Sequence, residues 1–327
     1  MPLGRSWRYA ALLPLALLLS NCAFISFDGD ESLTPAEKMM WSTYAVATRR
    51  GVASCLVVNR KDPGSNRVIP VLVTASHVLA VAPHGPYYLA MRTADENGDP
   101  DIAVLEIMAD ETGPVAYTTN PHADVAALEL RMPKEMAATV GLPSFIDEDK
   151  VGRLNASLHP GEMVSVLGFP SVLPATQGGF PILRRGAVAS YRPGNLGRSA
   201  RFLIDTTVYP GDSGGPVFTT DRRDRAPILV GLVTEHIGRK VGAVPLAVAI
   251  DARAVRETLE LLPHSPGERP EIPVPNGRVD SQGVTAGMKV KGRPEMFFKV
   301  LHADALTGRR LPLASSDSLP GTKSRAR

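Results

Sequence analysis

A series of short, apolar, β-rich segments runs through most of this chain, separated by Gly, Pro, Asn and Asp clusters such as ENGDP, TTNPH and RPGNLG. The segments are VASCLVVN (52–59), VIPVLVT (68–74), YYLAMRT (87–93), IAVLEIM (102–108), VAALEL (125–130), MVSVLGF (163–169), GAVASY (186–191), RFLIDTTV (201–208) and PILVGLVT (227–234). Many short strands with regular turn signals are typical of barrels or sandwiches. The cluster KDPGSNR between the first two segments predicts a hairpin turn. The chain is therefore predicted to be all-β.

A polar stretch at about 131–160 divides the segments into two groups, which predicts two barrels over about 50–140 and 160–250. Two helices are predicted outside the barrels. The first is PAEKMMWSTYAVATR (35–49), with Thr34 as N-cap and Pro35 at the first helical position. The second is ARAVRETLELL (252–262), whose apolar residues recur at helical spacing and which closes the folded body.

The N-terminal segment has the features of a secretory signal. Arg5 and Arg8 precede the apolar run AALLPLALLLS, which is short for a membrane span. The run ends in LSNC, which resembles the lipobox of bacterial lipoproteins and implies cleavage before Cys22 and acylation of its thiol. Asn21 departs from that pattern, where a small residue is usual, so ordinary signal cleavage and an uncleaved anchor are the alternatives. Residues 1–22 are thus predicted to be a signal peptide, with the body extracytoplasmic and membrane-anchored through a lipid on Cys22.

Residues 263–327 form a tail rich in Pro, Gly and basic residues, which predicts a mostly flexible segment. Within it, MKVKGRPEMFFKVL (288–301) can form a small hairpin. The tail is shorter than a usual separate domain.

Charge and cysteine usage exclude several functions. The net charge is only +3 and the basic excess lies near the two ends, so no nucleic-acid binding is predicted. The two cysteines lack zinc-type spacing, and we expect no metal and no other cofactor. Cys55 lies in the apolar run VASCLVV, which predicts a buried free thiol.

The stretch YPGDSGGPV (209–217) places Ser213 among three glycines. A serine hydroxyl becomes a useful nucleophile only with a base within hydrogen-bond reach, and the base needs an orienting acid. Most of the seven histidines lie in loops or polar turns. His77 instead directly follows an apolar strand in VLVTASHVL, where the strand end can hold it firmly.

Two aspartates are candidates for the acid. Asp101 in DIAVLEI and Asp124 in ADVAALEL each precede an alternating apolar strand. Asp101 opens the second half of a hairpin whose turn is ENGDP, which is typical of a turn residue. Asp124 precedes the last strand of the first group, where it would face the second group. Asp124 is therefore preferred.

Three ordered motifs carry a family resemblance. TASHVL, ADVAALEL and GDSGGP resemble the histidine, aspartate and serine motifs of the chymotrypsin/trypsin-like serine peptidases. FLIDTTVYPGDSGGPVF and VPLAVAIDARAVRETLELL are most similar to the bacterial HtrA-like and related trypsin-like secreted members. The resemblance covers about 48–262. It implies two six-stranded antiparallel β-barrels with a C-terminal closing helix over 34–262, and the tail does not resemble a PDZ domain.

The resemblance also implies roles. His77, Asp124 and Ser213 would form a catalytic triad, and the backbone N–H groups of Gly211 and Ser213 would form an oxyanion hole. Asp212 stands where animal trypsins pair an aspartate with a new N-terminus. No corresponding activation site is visible. An arginine, for example Arg184 or Arg185, is a candidate partner, and nothing in the sequence decides the matter.

The substrate groove follows from the same resemblance. Its predicted residues are Thr207, Val208, Val233, Thr234, Glu235 and His236. Thr207 would lie at the base of the S1 pocket, and because it is not acidic we expect a small or medium apolar P1 residue. Thr234 would support the aspartate with its hydroxyl, while Glu235 and His236 would pair with substrate through their backbones.

The main functional prediction is an extracytoplasmic serine endopeptidase that acts on proteins or peptides through an acyl-enzyme. The alternative is a non-catalytic, lipid-anchored binding protein on a peptidase fold. An α/β-hydrolase esterase is disfavoured because its order is Ser, Asp, His with alternating strands and helices.

Overall fold

A computed structural model describes residues 33–48, 51–62, 68–94, 100–109, 117–130, 146–152, 158–171, 179–190, 201–221, 225–237, 245–262, 284–288 and 296–301. Among these residues the α-helices are α1 (Pro35–Ser42), α2 (Ser76–Ala80) and α3 (Ala252–Glu260), and Glu148–Lys150 form a short 3-10 helix. The strands before the polar stretch are β1 (Thr43–Thr48), β2 (Gly51–Lys61), β3 (Val68–Thr74), β4 (Tyr87–Ala94), β5 (Pro100–Ala109), β6 (Thr118–Thr119) and β7 (Ala126–Glu129). The later strands are β8 (Met163–Gly168), β9 (Ile182–Val188), β10 (Arg201–Asp205), β11 (Pro216–Thr220), β12 (Pro227–Ile237), β13 (Leu246–Asp251), β14 (Val284–Met288) and β15 (Met296–Leu301).

The second strand group closes on itself. Its six strands follow the order β10-β13-β12-β11-β8-β9 and form a closed antiparallel barrel. The barrel interior is filled by apolar side chains such as Val166, Phe202 and Val230. The predicted all-β class and the predicted six-stranded second barrel are confirmed.

The first strand group forms a sheet in the order β14-β15-β5-β4-β1-β2-β3-β7-β6. The sequence predicted a closed six-stranded barrel here, whereas the described strands leave β6 at one edge. The far side of β5 pairs with β15 from the tail, so that edge already has its hydrogen-bonding partner. The tail does form a hairpin, of β14 and β15, but β14 lies before the predicted segment 288–301 and shares only Met288 with it. The sequence also did not indicate that this hairpin would extend the first sheet.

Strand β2 contributes side chains to two hydrophobic clusters, because alternate residues of a strand point to opposite faces. Cys55 and Val57 pack with the side chains inside the first group. Leu56 and Val58 pack with a second cluster that includes Phe218 of β11 and residues of α3. The two strand groups therefore share a continuous apolar contact. Cys55 is fully buried and free, as predicted.

The N-terminal helix is shorter than predicted. Thr34 and Glu37 form a capping box and Pro35 occupies the first turn, as the sequence indicated. The helix nevertheless ends at Ser42, and TYAVAT continues as β1. The predicted extension to residue 49 was wrong because this segment is rich in β-favouring residues and pairs on both sides, with β2 and with β4.

The closing helix α3 begins at Ala252, as predicted. Asp251 caps it by accepting a hydrogen bond from the Arg253 N–H at 2.9 Å. Val255 and Leu259 pack into the cluster shared by the two strand groups. Among the described residues, no helix is long and apolar enough to cross a membrane. The predicted signal peptide, Cys22 and most of the tail lie outside the described residues.

Candidate active site

His77 and Asp124 come from neighbouring ends of the first sheet. His77 is the second residue of α2, just after β3, and Asp124 lies in the loop between β6 and β7. The Asp124 Oδ2 atom is 2.6 Å from His77 Nδ1, and Oδ1 accepts the His77 backbone N–H at 2.9 Å. The same carboxylate therefore fixes both the ring and the backbone of His77.

The structure brings Asp124, and not Asp101, to His77. Asp101 lies in β5 opposite Thr93 of β4, within the hairpin that the sequence indicated. The strand order places β5 and β7 far apart in the first sheet, since β4, β1, β2 and β3 lie between them.

The pKa of Asp124 reflects two opposing effects. Burial raises it, but hydrogen bonds from the His77 ring, the Ser76 hydroxyl and the His77 backbone outweigh that effect and lower the pKa to about 2. Asp124 is therefore ionised at neutral pH and holds the proton of the imidazole on Nδ1. His77 Nε2 is left as the acceptor, on a side chain that is 49% exposed.

A hydroxyl supports Asp124, but it is not the predicted one. Ser76 Oγ donates to Asp124 Oδ1 at 2.5 Å. Thr234 is 3% exposed, and within the described part of the chain its Oγ1 has no hydrogen-bond partner. The support expected from Thr234 thus comes from Ser76. The signal in the sequence was a hydroxyl residue directly before the candidate base.

The turn before Ser213 depends on glycine. The Asp212 N–H donates to the Tyr209 carbonyl at 3.0 Å, with Pro210 and Gly211 between them. Gly211 has φ +102°, and proline followed by a positive-φ glycine is the pattern of a type II turn. A Cβ on Gly211 would also lie 2.2 Å from the Phe169 carbonyl oxygen, so the position excludes larger residues.

Close contacts place the Ser213 turn against the strand end that carries His77. A Cβ on Gly214 would lie 2.1 Å from Thr74 Oγ1, and Thr74 is the last residue of β3, three positions before His77. The Ser213 carbonyl accepts the Ser54 N–H at 2.9 Å. Ser213 Oγ is partly buried and makes a 3.4 Å contact with the Thr234 carbonyl. The Ser213 turn and the strand end that precedes His77 therefore lie against each other at the junction of the two strand groups.

Two backbone N–H groups of this turn are available to a ligand. The carbonyl of Pro210 accepts the Ser171 N–H at 2.8 Å, and the carbonyl of Asp212 accepts the Gly215 N–H at 2.9 Å. In a trans peptide the N–H points away from the carbonyl, so these bonds fix the directions of the following N–H groups, those of Gly211 and Ser213. Within the part of the chain that the structure describes, neither N–H has an acceptor.

Asp212 is paired with Arg184, one of the two predicted partners. Arg184 Nη2 lies 2.6 Å from Asp212 Oδ1, a close charge contact whose angle falls outside hydrogen-bond geometry. Asp212 is fully buried, and its other oxygen accepts the Tyr209 N–H at 2.6 Å. A Cβ on Gly168 would lie 2.2 Å from Asp212 Oδ1, so this glycine makes room for the carboxylate.

The predicted specificity residues lie differently from expectation. Val208 and Val233 are each 1% exposed and pack in the core of the second barrel, so they present no surface to a substrate. The prediction that Val208 and Val233 belong to the substrate groove was wrong, because the interior of the second barrel takes their apolar side chains. Thr207 is partly exposed, and its carbonyl accepts Arg184 Nη1 at 3.3 Å.

The strand predicted to line the groove has one unpaired side. Pairing of β12 with β11 ends at Leu232, whereas Glu235 and His236 continue to pair with β13. A bulge between Val233 and Glu235 marks this change. Val233 still exchanges backbone hydrogen bonds with Gly214 and Gly215, so within the described residues the edge of β12 is unpaired only beyond Val233. The side chains of Glu235 and His236 lie outside the described residues.

An imidazole held by a carboxylate, beside a glycine turn that carries a serine, defines the class of serine-type peptidases. The sequence profile described as "Trypsin-like peptidase domain" matches residues 53–232, more than half of the chain. The chain belongs to this family and is a serine-type peptidase, as the motifs predicted.

Several solved structures are similar to this chain, and no curated protein matches it significantly. They include Rv3671c from M. tuberculosis H37Rv in its inactive form (18% identity, TM-score 0.40, 68% of this chain and 86% of that chain covered). Two others are the HtrA-type protease AlgW with a decapeptide (17%, 0.40, 69% and 66%) and the thermostable serine protease AL20 from an extremophilic microorganism (16%, 0.41, 68% and 96%).

Proposed function

We propose that this protein is an extracytoplasmic serine endopeptidase whose catalytic residues are His77, Asp124 and Ser213. The observation that carries the proposal is the 2.6 Å contact between His77 Nδ1 and an ionised Asp124, at the strand end against which the Ser213 turn packs. The packing of the Ser213 turn against this strand end supports a shared role for the three residues, which are distant in sequence.

The proposed chemistry follows from the protonation states. With Nδ1 protonated by its contact with Asp124, His77 Nε2 accepts the Ser213 proton as Oγ attacks the scissile carbonyl carbon. The developing oxyanion accepts hydrogen bonds from the N–H groups of Gly211 and Ser213, each worth about 3–4 kcal/mol of barrier. His77 then protonates the leaving amine, and water hydrolyses the acyl-enzyme by the reverse sequence.

The free edge of β12 supports binding of an extended peptide. A substrate strand can add to the backbone at Thr234–His236 by main-chain hydrogen bonds, which suits a protein or peptide substrate. For P1 we propose a small or medium apolar residue. Thr207 is uncharged, and the one acid of the turn, Asp212, is buried and already paired with Arg184. A cleavage profile on a peptide library tests this preference.

The cellular location is proposed from the N-terminal sequence. The segment up to Cys22 supports export, and its lipobox-like end LSNC supports lipidation of Cys22 and attachment to a membrane of the cell envelope. Metabolic labelling with an alkyne fatty acid should mark the wild type and not Cys22→Ala. Export without labelling would favour ordinary signal cleavage or an uncleaved anchor.

A fluorophosphonate probe tests the catalytic proposal directly. We expect the folded wild type to be labelled and Ser213→Ala to remain unlabelled. Ser190→Ala is the control, because Ser190 Oγ accepts the Leu203 N–H in the second barrel, away from the candidate site. A folded wild type that is not labelled would favour the non-catalytic binding protein instead.

A further inference from the structure

Ser54 is a fully buried serine of β2 that the proposed chemistry does not use. Its hydroxyl donates to the Gly211 carbonyl at 2.8 Å and accepts the Phe169 N–H at 2.9 Å. Its backbone N–H donates to the Ser213 carbonyl, and its own carbonyl accepts the Thr74 hydroxyl at 2.8 Å. All four bonds lead to the nucleophile turn or to the segments that touch it.

Two of these bonds hold the carbonyls of the residues that would supply the oxyanion hole. The Gly211 carbonyl is fixed by the Ser54 side chain, and the Ser213 carbonyl is fixed by the Ser54 backbone. A rotation of the Gly211–Asp212 peptide would break the first bond. This peptide lies between the Pro210–Gly211 peptide, which carries the Gly211 N–H, and the Asp212–Ser213 peptide, which carries the Ser213 N–H. Its orientation therefore also affects the directions of these two N–H groups.

The Ser54 hydroxyl also connects the turn to the end of β8. Phe169, which donates to Ser54 Oγ, places its carbonyl oxygen where a Cβ of Gly211 would lie. The hydroxyl thus sits between Phe169 and Gly211 with both its donor and one acceptor position in use. Removing the hydroxyl would leave the buried Gly211 carbonyl and the partly buried Phe169 N–H without this partner. Because unsatisfied polar groups are costly, we expect the turn to shift.

The fourth bond links Ser54 to the strand that carries the base. Thr74 ends β3, three residues before His77. A single residue therefore contacts both the His77 strand and the Ser213 turn, which belong to different strand groups. Proton transfer and oxyanion binding require these groups to keep their relative positions to within about half an ångström.

We propose that the Ser54 hydroxyl is a positioning group that aims the oxyanion hole, a role that rests on the proposed peptidase function. It does not touch substrate. Through the Gly211 carbonyl it keeps the Gly211 and Ser213 N–H groups directed at one point. Its effect is therefore on the transition state and not on ground-state binding of the peptide.

The test compares Ser54→Ala with the wild-type full chain. Measured quantities are kcat and KM for a fluorogenic peptide, affinity for phenylboronic acid, whose tetrahedral serine adduct occupies the oxyanion hole, and the thermal midpoint. We expect kcat to fall about 10- to 100-fold, KM to change less than about twofold, and boronate affinity to fall in parallel with kcat.

Ser42→Ala is the matched control. Ser42 is also fully buried, and its hydroxyl donates to the Lys38 carbonyl within α1, away from the turn. It should lower the thermal midpoint without changing kcat or boronate affinity. A second variant, Ser54→Thr, retains the hydroxyl. Its kcat should be close to that of the wild type, even if its thermal midpoint is lower.

The outcomes separate the two proposals. An active wild type whose Ser54→Ala variant keeps its kcat and boronate affinity overturns the role of Ser54 and leaves the peptidase proposal intact. A loss confined to KM, or an equal loss in Ser42→Ala, also overturns it. A folded wild type without fluorophosphonate labelling overturns the peptidase proposal itself, and the role of Ser54 with it.

Discussion

Asp124, in the loop between β6 and β7, and Asp212, in the Ser213 turn, are stabilised in different ways. Asp124 is 19% exposed and is held by hydrogen bonds from Ser76 and His77. Asp212 is buried in the second barrel and is compensated by the cation of Arg184. A partly exposed carboxylate can be served by neutral donors, whereas a fully buried one needs an opposite charge. The neutral donors around Asp124 suit a carboxylate that orients His77. The ion pair of Asp212 suits a carboxylate that fixes the Ser213 turn.

The largest expected effect separates activity from stability. Asp124→Asn should lower kcat about 10⁴-fold, because an amide no longer holds the imidazole in the productive tautomer. The fold should remain, since the side chain keeps its shape. Peptide hydrolysis and urea unfolding measure the two quantities, with Asp101→Asn as the control. If Asp101→Asn loses activity and Asp124→Asn does not, the assigned acid is wrong.

Removing the countercharge of Asp212 should have the next largest effect. Arg184→Met leaves a buried carboxylate without its partner and should lower the free energy of unfolding by about 3–5 kcal/mol. Arg185→Met is the control on the same strand, where the exposed neighbour should cost less than about 0.5 kcal/mol. The double variant Arg184→Met/Asp212→Asn should recover part of the stability. Equal effects of Arg184→Met and Arg185→Met would contradict the importance of this ion pair.

A smaller effect distinguishes the two hydroxyls near Asp124. Ser76→Ala removes a hydrogen bond to a charged acceptor and should lower kcat/KM about tenfold, in line with about 1.5 kcal/mol for such a bond. Thr234→Val removes a hydroxyl that has no partner in the described residues and should preserve activity and stability. If Thr234→Val lowers kcat/KM more than Ser76→Ala does, Ser76 is not the hydroxyl that supports Asp124.

A further effect is a pH dependence of the free energy of unfolding. The folded pKa of Asp124 is about 2, below its ordinary value of 3.8, so the unfolded chain takes up the proton first as the pH falls. The contribution of Asp124 is fully present above about pH 4. It is lost as the pH falls through 2. Urea unfolding between pH 2 and 6 should show this loss in the wild type and a weaker one in Asp124→Asn.

Local patterns predicted most of the strands and singled out the candidate catalytic residues. The alternation of apolar residues predicted most strands, and the glycines around Ser213 predicted a turn whose backbone tolerates no Cβ. The preceding strand singled out His77, and the order of the hairpins favoured Asp124 over Asp101. These features depend on residues close together in sequence, where backbone stereochemistry and strand period limit the possibilities.

Other features were decided by contacts between distant segments. The sequence left Arg184 and Arg185 equal as partners of Asp212, and only the face of β9 that meets the Ser213 turn selects Arg184. The end of α1 at Ser42 depends on pairing of the next segment with β2 and β4. Burial of Val208 and Val233 depends on how the second barrel closes.

The sequence by itself thus determined the fold class, the family and the residues that could carry out the chemistry. The tertiary structure decided which groups hold those residues in place: Ser76 for Asp124, Arg184 for Asp212 and Ser54 for the Ser213 turn. The physical reason is that a hydrogen bond or ion pair between segments distant in sequence requires both partners to be positioned to within a few tenths of an ångström. No short stretch of sequence specifies that distance.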